Sequence, residues 1–278
     1  MAHLKIGDIE IHWLNGGEFE LDGGTMFGAV PKVLWSRRFP ADNVNYIKML
    51  NAVLLIKTPN SLALVDTGLG NKLTAKQNKI FRVNKPWSVV DDLAALGITR
   101  KEIDYVILTH CDFDHAGGIN MFDEKEQTQL TFPRAKHLIQ EKEWHDVLHP
   151  CKRSAETYWP VNFNELKESE NLLLTDGDQD VCEGIRVIFT GGHTRGHQIV
   201  EISSHGKTAV HMADLLPTHI HSHPLWIMAY DNFPLEVIDL KEKLMPGYIK
   251  KGAWFTFYHD IFMKACRFDE QGKVVESC

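Results

Sequence analysis

The feature that most constrains this chain is a set of four apolar runs, each of which ends in side chains of the metal-ligating type. The first run, residues 105–108, leads into residues 109–118, THCDFDHAGG, where two histidines and two aspartates fall within six positions. Three later runs lead to His193, Asp214 and His259. Imidazole and carboxylate are the expected ligands of Zn, Fe or Mn, and carboxylates crowded this closely repel one another without a cation. One such turn alone could be a solvated loop, but independent surface loops are not expected to share this design.

The pattern of apolar residues predicts strands and helices in both halves of the chain. Strands are predicted at residues 4–14, 52–57, 62–65, 104–109, 135–140, 185–190, 198–203, 208–213 and 254–258, and helices at residues 87–96, 141–148 and 235–244. We expect the first strand to end at residues 15–17 and the last helix to end at Pro246-Gly247. Residues 151–170 lack periodicity and are expected to loop over the surface. Strand clusters with helices between them predict a layered α/β sandwich with sheets inside and helices outside.

Length and charge limit the class of partner. A chain of 278 residues, 44% of them hydrophobic, can bury a substantial core, and we expect residues 1–278 to form a single domain. The formal net charge of -7 argues against nucleic acid or a membrane surface, because both call for concentrated Lys and Arg. We therefore expect a small-molecule substrate, and leave assembly into a homodimer open.

Targeting signals and cysteine usage bear on the compartment. The chain has no run approaching the roughly 20 apolar residues that cross a bilayer, and residues 1–5 lead directly into an alternating pattern without a signal-peptide core. Its five cysteines are widely spaced and form no CxxC pair. These features favour a reducing cytoplasm.

The ligand loop, followed by a later His, a later Asp and a last His, resembles the metallo-β-lactamase superfamily, whose hallmark is an HxHxDH loop with those three additions. The resemblance implies a four-layer αββα sandwich made of two ββα halves, with the metals in a cleft along the upper edge of the inner sheets. Residues 66–68, Asp-Thr-Gly, look like the family's early Asp-Thr-Gly turn. Asp66 would then orient the ligand loop.

The resemblance also implies two divalent cations, with Zn expected first and Mn or Fe as alternatives. The first would be held by His110, Asp112 and His193, the second by Asp114, His115 and His259, with Asp214 bridging both. One departure is that Asp112 stands where the family has the second loop histidine. A carboxylate adds negative charge and hardness, which favours Mn or Fe relative to an all-histidine site, and it could leave a mononuclear enzyme. His197, four residues after a ligand, is interpreted as a structural neighbour.

Within the superfamily, residues 15–17, 22–28, 214–218 and 224–231 resemble the branch of quorum-quenching lactonases. The resulting hypothesis is a hydrolase that opens a lactone or cleaves an ester with a water that bridges the metals. Asp114 would orient this water and pass its proton to the leaving alkoxide, and Asp214 would act with it. Acyl-homoserine-lactone lactonases commonly carry a tyrosine three residues after the bridging Asp, where this chain has Pro217, so Tyr230 is a candidate substitute.

Candidate substrate-binding residues come from two segments. Met26 and Phe27 lie in a Gly-rich segment, which is either a mobile loop with a hydrophobic tip or a loop packed into the core. Together with Trp35 and Trp226 they could form an apolar wall of the substrate pocket. The histidines at 219, 221 and 223 alternate, so in an extended segment all three would face one way. They could form a third metal site, but we favour a pocket edge where His221 touches substrate.

Three alternatives to a lactonase or esterase follow from the same residues. A small-molecule phosphodiesterase would use the same two-metal arrangement on phosphorus. An iron-dependent oxidoreductase is a further activity found on this fold. A metal- or redox-sensing binding protein would use Cys111, inside the ligand loop, as the sensor, although alternation turns Cys111 away from His110 and Asp112.

Overall fold

A computed structural model describes residues 3–278, which form sixteen strands. In chain order these are β1 (His3–Ile6), β2 (Ile9–Asp22), β3 (Tyr46–Lys57), β4 (Leu62–Val65), β5 (Tyr105–Ile107), β6 (Asn120–Phe122), β7 (Thr128–Leu130), β8 (Lys136–Gln140), β9 (Leu172–Thr175), β10 (Gln179–Cys182), β11 (Ile185–Phe189), β12 (Gln198–Ser204), β13 (Lys207–His211), β14 (Trp254–Thr256), β15 (Ala265–Phe268) and β16 (Val274–Ser277).

The helices of the described residues are mostly short. They are α1 (Gly23–Phe27), α2 (Lys32–Trp35), α3 (Ala75–Ile80), α4 (Val89–Ala95), α5 (Phe113–Ala116), α6 (Glu141–Leu148), α7 (Asn164–Lys167) and α8 (Pro234–Lys250), with 3-10 turns at Pro160–Asn162, Ala213–Leu215 and His219–Ser222. None of these helices has the length and apolar content that a membrane crossing requires.

Two seven-stranded sheets dominate the architecture. The first has the order β1-β2-β3-β4-β5-β8-β9 and the second β10-β11-β12-β13-β14-β15-β16, while β6 and β7 form a separate hairpin. Pairing is antiparallel at the outer hairpins and parallel between β4 and β5, β5 and β8, β8 and β9, and β13 and β14. Parallel neighbours end at the same edge of their sheet, so the loops that follow them lie together.

Buried side chains show the layers. Ile11 and Leu54 of the first sheet share a cluster with Val187 and Val200 of the second, so the sheets pack face to face. The outer face of the first sheet packs against α4, α6 and α7, and the outer face of the second packs against α8. This is the predicted αββα sandwich, since both sheets are apolar on two faces and each outer face needs helical cover.

Most predicted elements are present, with α6 at the predicted residues 141–148 and the predicted hairpin formed by β3 and β4. The predicted single strand 4–14 is wrong at both ends. Gly7, with φ +58°, turns the chain between β1 and β2, and β2 continues past residues 15–17 to Asp22. Its register shifts between Asn15 and Glu18, so the glycines predicted to end the strand form a bulge within it.

The end predicted for the last helix is also wrong, because α8 continues through Pro246 to Lys250. Met245 and Tyr248 are buried against the second sheet. Burial of these side chains compensates for the backbone hydrogen bond that a proline inside a helix cannot make.

Residues 151–170 are not the surface loop that their lack of periodicity predicted. They contain a 3-10 turn and α7, and they bury Tyr158, Phe163 and Leu166 in the cluster on the outer face of the first sheet. The segment is irregular because it crosses the end of the sandwich rather than following a strand or a long helix. It brings residues 153–157 to the cleft described below.

Candidate metal centre

The residues that end the four apolar runs converge at one edge of the sandwich. The ligand loop follows β5, His193 follows β11, Asp214 follows β13 and His259 follows β14. Asp66 follows β4, the neighbour of β5. The pairs β4 with β5 and β13 with β14 are parallel, and this topology places the loops together. Each sheet contributes to the site, so neither half contains it alone.

Six of the seven predicted ligands form two groups, and within each group the candidate donor atoms lie within 4.8 Å of one another. They are His110, His193 and Asp214 in the first group, and Asp114, His115 and His259 in the second. Asp214 faces both: its Oδ2 lies 3.5 Å from Nε2 of His193, and its Oδ1 lies 3.4 Å from Nε2 of His115. This is the position expected of a bridging carboxylate.

Asp112, the seventh predicted ligand, lies beside the first group. Its Oδ2 is 3.5 Å from Nε2 of His193 and 3.8 Å from Nε2 of His110. The side chain is 21% exposed, whereas the two histidines are almost fully buried. The structure therefore places Asp112 on the solvent side of the first group, within reach of a cation held there.

The tautomers of the second group follow from hydrogen bonds on the outer side of each ring. Nδ1 of His115 lies 2.9 Å from the carboxylate of Asp66, and Nδ1 of His259 lies 2.8 Å from the carbonyl of Leu50. The carbonyl of Leu50 and the carboxylate of Asp66 accept, so both Nδ1 atoms donate. When the rings are neutral, as metal binding requires, each directs an Nε2 lone pair inward. Without a metal, burial acts to lower the pKa of His115, but the neighbouring carboxylates outweigh burial and raise it. The two Nε2 atoms lie 3.3 Å apart.

The first group has the same design. Nδ1 of His193 lies 2.8 Å from Oδ1 of Asp231. Nδ1 of His110 lies 3.0 Å from the hydroxyl of Thr109, which donates its own hydrogen to Asp66 and so accepts from the ring. The structure therefore presents four Nε2 lone pairs and several carboxylate oxygens to one small space.

A pair of cations fits this donor set. Lone pairs and carboxylates that face one another repel, and a divalent cation removes that repulsion. Within residues 3–278, three of the buried atoms concerned have no hydrogen-bond partner: Nε2 of His110, Nε2 of His193 and Oδ1 of Asp214. The mixture of imidazole and carboxylate suits Zn, Mn or Fe.

Without bound metal, the surrounding protein shifts the pKa values of Asp114 and Asp214 in opposite directions. Burial raises the pKa of Asp114. Burial also acts to raise the pKa of Asp214, but in the metal-free protein the positive charge that His115 and His259 carry when protonated outweighs burial and holds that pKa well below its usual range. Asp214 is thus the more firmly ionised carboxylate, as a bridging ligand requires.

Asp66 occupies the orienting position that the resemblance implied. It is fully buried and accepts hydrogen bonds from the backbone N–H of Thr109, the hydroxyl of Thr109 and Nδ1 of His115. Its φ of +60° is unusual for a residue other than glycine. That conformation places one carboxylate against both the start of the ligand loop and a ligand ring.

Glu143 of α6 was missed by sequence reasoning. It is buried and accepts from the backbone N–H groups of Cys111 and Gly196 and from the hydroxyls of Thr194 and Tyr158. Burial raises the pKa of Glu143 to about 7, an effect that these hydrogen bonds oppose. Glu143 joins the ligand loop, the loop after His193 and the segment 151–170, yet a glutamate in a short helix carries no sequence signal of such a role.

Asp231 was noted only as part of a branch signature. The structure buries it, and it accepts from Nδ1 of His193 and, through Oδ2, from the backbone N–H of Met228 at 2.9 Å. One carboxylate therefore orients a ligand ring and fixes the residues next to it in the cleft wall.

A cleft of about 380 Å³ opens onto the two groups. Asp112, Asp114, His193, Asp214 and His259 lie at its base. The apolar residues of its lining are Leu21, Met26, Phe81, Phe113, Met228 and Ala229, and its further polar residues are Arg153, Ser154, Glu156, Thr157, Tyr230 and Asn232. The cleft suits a small organic molecule with both apolar and polar parts.

Two of the four predicted substrate-binding residues, Met26 and Tyr230, line this cleft. The other two are behind its wall. Phe27 is 1% exposed and stacks on His221, with ring centroids 4.9 Å apart. His221 is also 1% exposed and donates from Nε2 to the carbonyl of Met26 at 2.9 Å. The predicted direct contact of Phe27 and His221 with substrate is therefore corrected, because both are packed beneath Met26 and support it.

The two segments that suggested these residues differ from their predicted conformations. Residues 23–27 form α1, capped by Asp22, and the buried Met26 and Phe27 identify it as part of the core rather than a mobile tip. Residues 219–222 form a 3-10 turn, so the histidines of that segment do not share one face. Trp35 stacks on Phe27 in the same core cluster.

Two further predictions concern the ligand region itself. His197 belongs to neither of the two groups found among the described residues, and its Nδ1 lies 2.8 Å from the hydroxyl of Thr190. Cys111 is fully buried in the cluster on the outer face of the first sheet. These positions agree with the packing roles interpreted for both residues.

Solved structures resemble the whole of this fold. A crystal structure of a probable metal-dependent hydrolase from Staphylococcus aureus is 39% identical, covers 99% of this chain and 98% of its own, and superposes with a TM-score of 0.92. The dizinc quorum-quenching lactonase AidC, in complex with a product, is 22% identical over 100% of this chain and 96% of its own, with a TM-score of 0.79. At that identity the likeness to AidC shows the fold alone.

Curated relatives match part of their length. A probable metallo-hydrolase of Mycobacterium tuberculosis is 28% identical over 60% of this chain and 57% of its own length. An N-acyl homoserine lactonase of Bacillus thuringiensis is 25% identical over 59% of this chain and 63% of its own length. The chain thus matches less than two thirds of each of these relatives.

The family model described as "Metallo-beta-lactamase superfamily" matches residues 49–253, well over half of the chain. This span contains the ligand loop, His193 and Asp214. Together with the Staphylococcus structure, it confirms the resemblance that the ligand loop indicated. The chain belongs to the metallo-beta-lactamase superfamily.

Proposed function

We propose that this protein is a metal-dependent hydrolase with two divalent cations, and that it opens a lactone or cleaves an ester. The observation that carries the proposal is the convergence of four Nε2 lone pairs and the carboxylate of Asp214 at the base of a partly apolar cleft. Relatives named as metallo-hydrolases and as N-acyl homoserine lactonases support hydrolysis and an ester-like bond respectively.

The side chains divide the work of the reaction. When bound, the cations would lower the pKa of water and polarise the substrate carbonyl. Asp114 lies in the cleft with Oδ2 3.5 Å from Nε2 of His259, where it can orient the attacking water and carry a proton to the leaving alkoxide. Its raised pKa suits that transfer. Asp214 contacts both groups of candidate ligands and would keep them together. Met26, Phe81 and Phe113 would exclude water from the apolar part of the substrate.

The first experiment is metal analysis of protein purified without added metal, followed by assays with a lactone, a simple ester and bis-p-nitrophenyl phosphate. We expect lactone or ester hydrolysis that a chelator abolishes and added Zn or Mn restores. Asp114→Asn should lower kcat by about 100-fold or more, the usual effect of losing a positioned proton carrier.

Other outcomes would assign the alternative functions. Faster cleavage of the phosphodiester would indicate a phosphodiesterase. One iron per chain with oxygen consumption would indicate an oxidoreductase, and full activity in Asp114→Asn would remove the role given to that residue. Thiol-dependent metal release without hydrolysis would indicate a sensor.

A further inference from the structure

The segment 151–157 places a positively charged side chain in the cleft, and the proposed reaction does not use this side chain. Arg153 lines the same cleft as Asp114 and Asp214. We propose that Arg153 binds a carboxylate that the substrate carries in addition to the bond that is hydrolysed. The inference rests on the proposed function, because it names the substrate class of the same cleft.

Hydrogen bonds to neutral acceptors hold the guanidinium of Arg153 in place. Its Nε donates to Oδ1 of Asn232 at 2.9 Å, and one Nη2 donates to the carbonyls of Asp231, at 3.1 Å, and Ala229. These acceptors belong to one stretch of the cleft wall, which Asp231 also ties to His193. A guanidinium fixed in this way loses little further conformational entropy when it binds a ligand.

The positive charge of Arg153 is not neutralised by the protein. Within residues 3–278 no carboxylate oxygen lies within 4.0 Å of it, and its Nη1 donates no hydrogen bond to that part of the chain. Arg82, Arg186, Arg195 and Arg267 each pair with an Asp or a Glu. Arg37, Arg38, Arg100 and Arg134 also have no acidic partner among the described residues, but they do not line the cleft. In a chain of net charge -7, an arginine in the main cleft without an acidic partner is well suited to an anion from outside.

The apolar lining defines the rest of the ligand. Met26, Phe113 and Met228 line the cleft together with Arg153 and the metal-site carboxylates. Glu156 also lines the cleft, but it forms no ion pair with Arg153 within 4.0 Å. A substrate that satisfies all of these groups has an ester or lactone carbonyl, an apolar chain and a carboxylate. Hydrolysis adds water across the ester C–O bond and gives an alcohol and a second carboxylate, so the acid product is a dicarboxylate when both groups lie on the acyl part.

Binding of product-like acids tests the subsite without relying on turnover. Metal-loaded protein is titrated calorimetrically with glutarate, adipate and suberate, and with pentanoate, hexanoate and octanoate as monoanions of equal length. We expect at least one dicarboxylate to bind about ten-fold more tightly than its monoanion, as one charge-assisted hydrogen-bonded pair allows. Arg153→Gln should reduce this preference to about two-fold or less, whereas Arg153→Lys, which keeps the charge but not the fork, should retain part of it.

Lys152→Gln is the matched control, because it removes the same charge from the neighbouring exposed position, which is not among the cleft-lining residues. It should keep the full preference. Equal binding of mono- and dicarboxylates by the unchanged protein, or an undiminished preference in Arg153→Gln, would overturn the proposal. If Arg153→Gln does not fold, Arg153→Lys and the unchanged protein still decide it.

Hydrolysis of a pair of esters with the same acyl chain separates this inference from the proposed function. Monomethyl adipate carries the carboxylate, and dimethyl adipate does not. Cleavage of both with a preference for the half-ester that disappears in Arg153→Gln supports both proposals. Cleavage of both at equal rates keeps the hydrolase and overturns the Arg153 subsite. Cleavage of neither counts against the esterase, while the calorimetric titrations still decide the subsite.

Discussion

Single carboxylates determine how the ligand rings of this protein are oriented. Asp231 accepts from Nδ1 of His193 and thereby fixes both the tautomer and the direction of its Nε2. We expect Asp231→Asn to weaken metal binding at the first group by about 10- to 100-fold, the usual effect of losing the partner of a ligating histidine. Metal titration by calorimetry, with Asp239→Asn of the exposed face of α8 as control, measures this. Unchanged affinity in Asp231→Asn would show that packing alone orients His193.

We expect Asp112 to influence which metal the first group prefers. The carboxylate lies 3.5 Å from Nε2 of His193, where the family's loop has a histidine. We expect Asp112→His to favour Zn over Mn by about ten-fold relative to the unchanged protein, because imidazole is the softer donor.

Competition between Zn and Mn, read out by metal analysis after dialysis, measures the shift in preference. Glu124→His is the control for a new surface histidine, since Glu124 is exposed in the turn between β6 and β7. If Asp112→His and Glu124→His give the same ratio of metals, Asp112 does not contribute to the choice of metal.

The candidate ligands could be read from the sequence, but the residues that contact the outer side of each ring could not. His193, Asp214 and His259 each follow an apolar run, and that pattern is local. The partners of Glu143 lie 15 to 53 positions away, and two of them are backbone N–H groups, which every residue except proline possesses. Asp231 orients His193 from 38 positions away. Only the assembled structure shows which buried carboxylate meets which donor.

At the scale of elements, α6 joins three segments through one side chain. Glu143 accepts four hydrogen bonds from the ligand loop, the loop after His193 and the segment 151–170. Glu143→Gln replaces an acceptor oxygen by a donor and leaves buried donors without a partner. We expect a loss of about 2–3 kcal/mol in the free energy of unfolding, together with weaker metal binding.

Urea unfolding and metal titration test the role of Glu143. Glu141→Gln is the matched control, because it makes the same substitution at an exposed position of the same helix. It should change the free energy of unfolding by less than about 0.5 kcal/mol. Equal behaviour of the two variants would remove the joining role from Glu143.

The elements themselves were predicted where the local pattern agreed with the packing. The α6 helix and the β3–β4 hairpin are such cases. Local signals failed where distant contacts override them. Pro246 does not end α8 because Met245 before it and Tyr248 after it are both buried against the second sheet. Gly16 and Gly17 do not end β2 because residues 18–22 continue to pair with β3. The missed order in residues 151–170 has the same cause, since its buried side chains meet residues far away in the chain.

At the scale of the whole molecule, the centre exists only when the two sheets are packed together. The first half supplies Asp66 and the ligand loop, and the second half supplies His193, Asp214 and His259. The resemblance predicted this division. Composition and periodicity alone predicted only a layered α/β sandwich, because they do not specify which faces of which strands meet.

Buried histidines make the stability of the whole molecule sensitive to acid, and His137 isolates the effect from the metal centre. It lies on β8 between β5 and β9, its Nδ1 donates to the carbonyl of Ala135, and burial lowers its pKa to about 4. In the unfolded chain the pKa of a histidine is about 6.5. Between these values the unfolded chain binds a proton that the folded protein excludes, so this contribution to stability is present above pH 6.5 and is lost as the pH falls toward 4.

We therefore expect the free energy of unfolding to decrease as the pH is lowered from 7 to 5. In His137→Gln this decrease should be smaller than in the unchanged protein, by about 2 kcal/mol at most. Urea unfolding of chelator-treated protein across this range measures the slope without the competing effect of protons on metal binding. His205→Gln, at an exposed turn, is the control and should keep the slope of the unchanged protein. Parallel pH profiles for His137→Gln and the unchanged protein would mean that His137 takes up its proton in the folded state, so that acid sensitivity arises elsewhere in the molecule.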